Sequence, residues 1–255
     1  MSHPRDLLID EQLKRAAELL RAARAVVVFT GAGVSAESGV PTYRGQEDGL
    51  WSKHNLDRYA NPRGYAAHLS DAYAWYRARA QSVAEVEPNA AHFAIARLAE
   101  RVPKLTVVTQ NIDSLHQRAG SREVVELHGN LREFRCDGCG WRVGWDRASE
   151  SPICQRCGDH IRPNVVMFEE NLPIDAFDSA EVAAHECDVL ISVGTSNQVW
   201  PAAQLPLTTL ESGGSVIIIN PDLTDQPYHR NVIPIRRKAG DALPALIDLM
   251  SVPER

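Results

Sequence analysis

Four cysteines, arranged as two pairs, are the residues whose spacing most directly indicates chemistry. They occur as Cys136-x-x-Cys139 and Cys154-x-x-Cys157, with 14 residues between the pairs. Two such pairs are typical of a tetrahedral site in which four thiolates bind zinc. Four thiolates leave no position for an activated water, so the predicted zinc is structural. Unconnected buried thiols or a redox pair are the alternatives, and the fifth cysteine, Cys187, is predicted to be a plain buried residue.

Small or hydrogen-bonding residues directly follow five short apolar segments. After the first segment, Gly31 and Gly33 would let the backbone approach a pyrophosphate, whose oxygens backbone amides can bind. An ordinary strand-to-helix turn is the alternative, since Ala36 stands at the last glycine of the dinucleotide-binding spacing Gly-x-Gly-x-x-Gly. The five groups are Gly31-Ala32-Gly33, Thr109 to His116, His128-Gly129-Asn130, Gly194-Thr195-Ser196 and Asn220-Pro221-Asp222.

The second and third groups carry the side chains best suited to bind or catalyse. Asn111 or Asp113 could cap a helix, but a cap explains one of the polar residues there and leaves the others without a role. His128 ends a predicted strand and precedes a glycine, a position from which it can reach a ligand. A lone histidine is more often structural, because a neutral imidazole satisfies many local partners.

The apolar segments must position these groups. Each has four or five residues that are apolar almost throughout, which is typical of strands buried on both faces of a parallel sheet. Helical stretches separate most of them, and this alternation predicts an α/β fold with a doubly wound sheet, whose ligands bind beyond the carboxyl ends of the strands. The predicted strands are 26–29, 105–108, 124–127, 189–193, 216–219 and 232–235, and the predicted helices are 10–24, 70–86, 89–101, 111–119, 174–187, 202–212 and 240–250.

Two regions interrupt the alternation and predict insertions. Residues 31–69 are rich in Gly, Pro, Ser, Asn and aromatics, and residues 130–165 hold the paired cysteines. We expect a single catalytic unit over 1–255, with a helical and loop insertion at about 41–88 and a metal module at about 130–165. The α/β domain itself is then assembled from about 20–40, 89–130 and 165–250.

Composition limits the classes of function. The chain has 255 residues, a hydrophobic fraction of 44% and a net charge of −6. The length suits one large domain or one domain with a small insert. The negative charge argues against a general affinity for nucleic acid or anionic membrane. No apolar run approaches the length needed to span a bilayer, and a cytoplasmic protein is predicted. Nothing in the sequence indicates the oligomeric state.

The motifs together resemble those of the sirtuins, the NAD-dependent protein deacylases. The resemblance covers about residues 20–250, and the motifs occur in the order found in that family. They are Gly31-Ala-Gly-Val-Ser-Ala-Glu-Ser-Gly-Val-Pro-Thr-Tyr-Arg44, Gly49-Leu-Trp51, Thr109-Gln-Asn-Ile-Asp113, Leu127-His-Gly-Asn130, the four cysteines, Gly194-Thr-Ser196 and Asn220.

This resemblance implies a Rossmann-like domain with a smaller zinc-binding module. It also implies transfer of an acyl group from a protein lysine to ADP-ribose, with NAD consumed as a co-substrate and nicotinamide released. His128 is implied as the general base, a role that suits a side chain titrating near neutrality, with Asn111 also catalytic. The residues implied to bind NAD are Gly31, Ala32, Gly33, Glu37, Arg44, Gln110, Asn111, Ile112, Asp113, Gly194, Thr195, Ser196, Asn220 and Ala239.

Two residues of one predicted helix indicate which acyl groups the protein removes. Tyr76 and Arg79 lie three residues apart and so share a helix face. Sirtuins that remove succinyl and malonyl groups carry such a Tyr-x-x-Arg pair together with a small residue resembling Ala60. Arginine can hold a carboxylate through two parallel hydrogen bonds. Arg77 is also a candidate by composition, and the family spacing selects Arg79. Ordinary deacetylation is expected beside this activity.

Residues 165–170 are expected to pair as a strand with the substrate backbone, through Val166 and Phe168. The family has Trp or Phe at position 167 and Gly at position 169, where this chain has Met167 and Glu169. Glu169 is expected to crowd the bound peptide or to repel acidic residues that flank its lysine.

Two other classes of protein remain as alternatives. An NAD-dependent oxidoreductase with a structural zinc would use His128 as its proton relay. A zinc-ribbon module that binds nucleic acid is suggested by six arginines within 130–165, Arg162 among them, but five acidic residues there offset most of this charge. We therefore expect that face to be solvated, with partner binding possible.

Overall fold

The computed structural model describes residues 4–41, 57–223 and 229–251, with side chains described from residue 11 onward. A parallel sheet of six strands forms the centre of the larger body. Its strands are β1 (Ala25–Thr30), β2 (Lys104–Thr109), β3 (Val124–Glu126), β7 (Val189–Val193), β8 (Ser215–Ile219) and β9 (Val232–Ile235). They lie in the order β3-β2-β1-β7-β8-β9. All six strands predicted from the sequence are present, and the prediction of a doubly wound Rossmann-like fold is confirmed.

Helices cover both faces of this sheet because its strands are apolar on both sides. One face packs against α1 (Pro4–Ala22), α5 (Ala90–Leu98) and α9 (Ala239–Met250). The other packs against α7 (Ile174–Glu186) and α8 (Leu205–Glu211). None of the helices in the described part of the chain is long and apolar enough to cross a bilayer.

A second, antiparallel sheet carries the paired cysteines. It consists of β4 (Gly129–Cys136), β5 (Arg142–Gly144) and β6 (Ile161–Val165), in the order β5-β4-β6. Helices α3 (Pro62–Ala67) and α4 (Leu69–Glu85) share a core cluster with this sheet. The residue limits predicted for the domain, the insertion and the module stay a prediction.

One predicted helix is wrong over half of its length. The sequence predicts a helix over 111–119, but only the short α6 (Leu115–Arg118) forms there, and α2 (Ala32–Ala36) is the corresponding short helix after β1. Ser114 has φ +63°, a left-handed conformation that a helix cannot include. The Asp113 Oδ1 accepts the Leu115 N–H at 2.9 Å, so the chain enters α6 only after that residue.

Candidate functional site

The site forms where the strand order reverses, between β1 and β7. In a doubly wound sheet this is the position at which ligands bind. Gly33 N–H donates to the Gly194 carbonyl at 2.8 Å. A Cβ on Gly33 would lie 2.7 Å from that carbonyl oxygen, and one on Gly194, which has φ +62°, would lie 2.4 Å from Val34 N. The glycines are therefore needed for the close approach of the segments Gly31-Ala32-Gly33 and Gly194-Thr195. These two segments lie at the switch point, where a doubly wound sheet has its ligand-binding crevice.

Side-chain amides join the ends of three strands across this crevice. Gln110, after β2, donates from Nε2 to Thr195 Oγ1 at 2.9 Å. Asn220, after β8, donates from Nδ2 to the Thr195 carbonyl at 3.0 Å. Ser196 follows and is exposed. Three predicted NAD-binding residues from distant parts of the sequence, Gln110, Thr195 and Asn220, are thus brought together.

The loop after β2 holds Asn111 and Asp113 buried beneath the crevice. Asn111 donates from Nδ2 to the Gly31 carbonyl at 3.1 Å and to Ser35 Oγ at 3.0 Å. Ser35 in turn donates to Asp113 Oδ2 at 2.7 Å. Burial raises the pKa of the Asp113 carboxyl, while hydrogen bonds from Leu115 N–H and Ser35 oppose that rise. The loop is therefore fixed by a network of side-chain hydrogen bonds, in which Ser35 was not predicted to take part.

His128 lies between β3 and β4 at the same end of the sheet. Its Nδ1 is 2.9 Å from the Gln110 carbonyl. A carbonyl oxygen can only accept, so Nδ1 carries the proton and Nε2 keeps a lone pair. Burial lowers the pKa of His128, and the hydrogen bond to Gln110 partly opposes this. The imidazole is therefore neutral at neutral pH, and Nε2 carries the basic lone pair.

Glu37 and Ala239 meet at the start of α9. Glu37 Oε1 accepts the Gly240 N–H at 2.9 Å, and Ala239 is buried beside it. An acidic side chain is favourable at a helix N-terminus, so this contact also has a structural explanation. Arg44, predicted to bind NAD, lies outside the described residues, as do Tyr43, Gly49 and Trp51.

The predicted acyl-binding residues are buried on α4 and next to it. Tyr76 and Arg79 retain only 3% and 6% of their accessible surface. The Arg79 guanidinium lies 4.9 Å from the centroid of the Trp75 ring. Burial lowers the pKa of Arg79 to about 10 and raises that of Tyr76 to about 12. At neutral pH the pair therefore offers a cation and a neutral phenol.

Val166 and Phe168, which are predicted to bind the substrate peptide, lie beside His128 and Ala60. Val166 N–H donates to the His128 carbonyl at 2.9 Å, and Phe168 N–H donates to the carbonyl of the buried Ala60 at 2.8 Å. Phe168 itself is exposed. A cavity of about 240 Å³ separates α4 from the loop after β2, and its walls include Ala80, Val83, Ile112, Asp113, Leu131 and Trp145.

The four paired cysteines form one cluster. Their sulfur atoms all lie within 4.8 Å of one another. Cys136 and Cys157 are 3.4 Å apart at Sγ, and Cys139 and Cys154 are 3.8 Å apart. Thiolates bound to one tetrahedral zinc at about 2.3 Å would be separated by about 3.8 Å. The donor set and its dimensions fit zinc, as predicted, and Cys187 is buried away from the cluster, as expected.

A buried ion pair corrects one prediction from the sequence. Arg162, expected on a solvated face, is only 5% exposed. It donates to Glu170 at 2.6 and 2.8 Å and to the Val165 carbonyl at 3.1 Å. Glu170 also accepts the Met167 N–H at 2.8 Å. The pair thus fixes the segment that contains Val166 and Phe168. The sequence gives no signal of this role, since Arg162 is simply an arginine five residues after a Cys-x-x-Cys pair.

Comparison with known proteins identifies the family, since residues 31–201 match the Sir2 family. The chain belongs to the Sir2 family. An NAD-dependent protein deacylase of Methylococcus capsulatus is 44% identical over 241 residues, which cover 91% of this chain and 94% of that protein. The predicted class of enzyme, an NAD-dependent protein deacylase, is confirmed, and the oxidoreductase alternative is not favoured.

This chain has the same fold as solved structures of Sir2 proteins. A Sir2 homologue in complex with NAD has a TM-score of 0.83 and 40% identity, covering 92% of this chain and 93% of the other. A Sir2 protein with a deacetylated p53 peptide and 3′-O-acetyl ADP-ribose has a TM-score of 0.79 and 33% identity, covering 92% and 97%. The prediction of NAD as co-substrate is confirmed.

Proposed function

We propose that this Sir2 enzyme removes succinyl and malonyl groups, as well as acetyl groups, from lysine side chains of proteins. The buried Tyr76–Arg79 pair carries this proposal. A carboxylate that enters beside Arg79 would meet a full positive charge in a medium of low dielectric, where charge-assisted hydrogen bonds are strong. The neutral Tyr76 hydroxyl would add a donor. Ala60 is small enough to leave room for the longer acyl chain.

We infer that His128 acts as the general base through Nε2. Its Nδ1–H is committed to the Gln110 carbonyl, so Nε2 is free to take a proton. NAD supplies the ADP-ribose that receives the acyl group. Gln110, Asn111 and Asp113, held in one loop, would orient the ribose at the reacting end. Gly194, Thr195 and Ser196 at the switch point, together with Asn220, would hold the adenosine half of NAD.

The segment after β6 is proposed to bind the substrate peptide. The sirtuin solved with a deacetylated p53 peptide supports a peptide substrate for this chain. Glu169 has φ +73°, a left-handed conformation that favours glycine, and its exposed carboxylate lies 3.6 Å from Arg63. A carboxylate at this position favours basic residues and disfavours acidic residues beside the acyl-lysine.

One assay tests the proposed function directly. The full-length protein is incubated with NAD and matched peptides that carry acetyl-, succinyl- or malonyl-lysine, and the products are identified by mass spectrometry. We expect free lysine peptide, nicotinamide and the matching O-acyl-ADP-ribose in equal amounts. We also expect kcat/KM for the succinyl and malonyl peptides to equal or exceed that for the acetyl peptide.

Two results would contradict the proposal. If only the acetyl peptide is turned over, Arg79 does not bind an acyl carboxylate and the protein is a simple deacetylase. Formation of reduced nicotinamide without acyl transfer would instead support the oxidoreductase alternative.

A further inference from the structure

Two histidines lie buried behind the loop that holds Asn111 and Asp113, and neither has a role in the proposed chemistry. His92, on α5, and His116, on α6, are both at most 1% exposed. Their ring centroids are 4.9 Å apart. Buried imidazoles are costly unless each ring nitrogen is accounted for, so their hydrogen bonds show what they do.

The proton of His116 can be placed from its surroundings. Its Nε2 lies 2.9 Å from Thr30 Oγ1, whereas its Nδ1 is buried with no hydrogen-bond partner in the part of the chain that the structure describes. A buried N–H without an acceptor is rarer than a buried acceptor without a donor. The proton is therefore on Nε2, and His116 donates to Thr30.

This donation sets the direction of a chain of hydrogen bonds. Thr30 Oγ1 accepts from His116 and turns its own proton to Thr109 Oγ1, at 2.8 Å. Thr109 Oγ1 also accepts the backbone N–H of Asn111, at 3.0 Å. The chain thus runs from a buried imidazole through two strand-end hydroxyls to the backbone of Asn111.

His92 heads a second chain of the same kind. Its Nδ1 accepts the Asn89 N–H at 3.3 Å, so its proton is on Nε2, which faces Ser35 Oγ at 3.5 Å. Ser35 donates to Asp113, as described above. Burial lowers the pKa of His116 to about 3 and that of His92 to about 4, so both rings are neutral at neutral pH.

We propose that His116 is a positioning residue for the NAD site, acting through the Thr30 and Thr109 hydroxyls to hold Asn111 in place. The inference rests on the proposed role of Asn111 toward NAD. His116 is buried and its ring hydrogen bond is to Thr30 Oγ1, so the inference requires its effect on the NAD site to pass through Thr30, and that requirement makes it testable.

The first test compares two replacements of His116. His116→Phe keeps a ring in the cavity but removes the donor, and we expect kcat/KM for NAD to fall roughly 10- to 100-fold, because a small misplacement of an orienting group is costly. The KM for the acyl peptide should stay at the wild-type value. His116→Gln places an amide N–H near the position of Nε2, so it should recover most of the loss.

The second test asks whether the effect passes through Thr30. Thr30→Val removes the hydroxyl and keeps the shape, and we expect it to impair NAD use as His116→Phe does. If both act through one hydrogen bond, the double variant is no worse than the worse single variant. Thr209→Val is the matched control: its hydroxyl is also buried and donates to the Ala184 carbonyl at 2.8 Å, but on α8, away from the loop.

The outcomes separate the inference from the proposed function. Equal impairment of His116→Phe and His116→Gln, or additive losses in the double variant, would overturn the inference. So would a fall in kcat/KM for NAD in Thr209→Val as large as in Thr30→Val. Asn111→Ala is measured alongside: wild-type NAD use in that variant would overturn the proposed role of Asn111 itself. If the His116 variants do not fold, Thr30→Val against Thr209→Val decides, and wild-type NAD use in Thr30→Val overturns the inference.

Discussion

At the scale of single residues, the neighbours of His128 fix both its proton and its charge. We expect His128→Ala to lower kcat for deacylation about 10²–10⁴-fold, which is the usual loss for a general base, while NAD still binds. Retention of more than half of the wild-type rate would contradict the assignment. His185→Ala, at an exposed histidine of α7, is the control and should leave the rate unchanged.

The same residue predicts a pH dependence. A base works in its neutral form, and burial lowers the pKa of His128 below the ordinary value of histidine. Activity should therefore persist as the pH falls through that ordinary value and should decline only below it. The measurement is kcat/KM against pH with the acetyl peptide, whose acyl group does not titrate. An acid limb at or above the ordinary histidine pKa would contradict the tautomer and burial described for His128.

Arg79 is proposed to determine which acyl groups are removed, and its neighbour Arg77 provides a matched control. Arg79→Met removes the cation and keeps much of the volume, so a succinyl carboxylate would be buried without a charged partner. This typically costs about 2–5 kcal/mol. Each 1.4 kcal/mol is about tenfold, so the ratio of desuccinylation to deacetylation should fall by roughly 30-fold or more. Deacetylation should hold or rise.

Arg77→Met removes a cation from the same helix, where it donates to the Ser149 carbonyl at 3.3 Å. It should leave the ratio unchanged. An equal fall in both activities of Arg79→Met would mean that Arg79 supports the fold, and no change in either would exclude it from the acyl pocket.

At the scale of elements, the Arg162–Glu170 pair holds the segment after β6. Glu170→Gln leaves the Arg162 guanidinium buried without its counter-charge, and removing one partner of a buried pair typically costs about 3–5 kcal/mol. Glu170 is partly exposed, so we expect a loss of free energy of unfolding of about 3 kcal/mol and a raised KM for the peptide. Glu133→Gln breaks the exposed pair with Arg142 in the same sheet and should cost less than about 1 kcal/mol.

The pair also sets a dependence of stability on pH. Burial raises the pKa of Glu170, but hydrogen bonds from Arg162 and Met167 N–H and the charge of Arg162 outweigh it and lower the pKa overall. The contribution to stability is therefore present above the unfolded pKa of glutamate and is lost as the pH falls through the lower folded pKa. The measurement is the free energy of unfolding against pH for both variants. The same pH dependence in Glu170→Gln and Glu133→Gln would contradict this account.

The elements show where sequence reasoning succeeds and why it stops. The six strands of the large sheet were predictable because both of their faces are buried. The predicted helix 89–101 begins where the structure has it, since the Asn89 side chain caps α5. The segment 111–114 was not predictable, since its hydrogen-bond partners Gly31 and Ser35 come from the turn after β1 and from α2, far away in sequence. The strands of the small sheet carry many charged residues, and no periodic pattern distinguishes them.

The candidate site divides in the same way. The motif residues and the cysteine tetrad could be found from spacing, because the chemistry of zinc and of strand ends is local. His92, His116 and Arg162 could not, because their contacts with Ser35, Thr30 and Glu170 follow no spacing pattern in the sequence. Only the folded chain shows that they are buried.

At the scale of the whole molecule, one core cluster connects the cysteine tetrad to the proposed acyl pocket. It contains Cys136 and Cys154 together with Tyr73 and Tyr76 of α4 and Phe134 of β4. The rings of Tyr73 and Phe134 meet edge to face with centroids 5.3 Å apart. Helix α4 is therefore held by the small sheet, whereas the crevice at the switch point is built on the large one.

Zinc removal should consequently affect the two parts differently. Elemental analysis should find one zinc per chain, and Cys154→Ala or treatment with a strong chelator should remove it. Because metal affinity is part of the folding free energy of such a module, the small sheet should unfold at a lower temperature. Deacylation should be lost as α4 loses its support, and far-ultraviolet circular dichroism should retain most of the signal of the large sheet and its helices.

The control is Cys187→Ala, which removes a buried thiol that contacts Thr209 rather than the tetrad. It should keep its zinc, even if it loses some stability by leaving a small cavity under α8. Re-addition of zinc to the chelated wild type should restore deacylation, because the module regains the free energy that orders it. A wild-type protein without zinc, or a Cys154→Ala variant as stable as wild type, would contradict the structural role of the tetrad. Full deacylation in the zinc-free protein would show instead that α4 keeps its place without the small sheet.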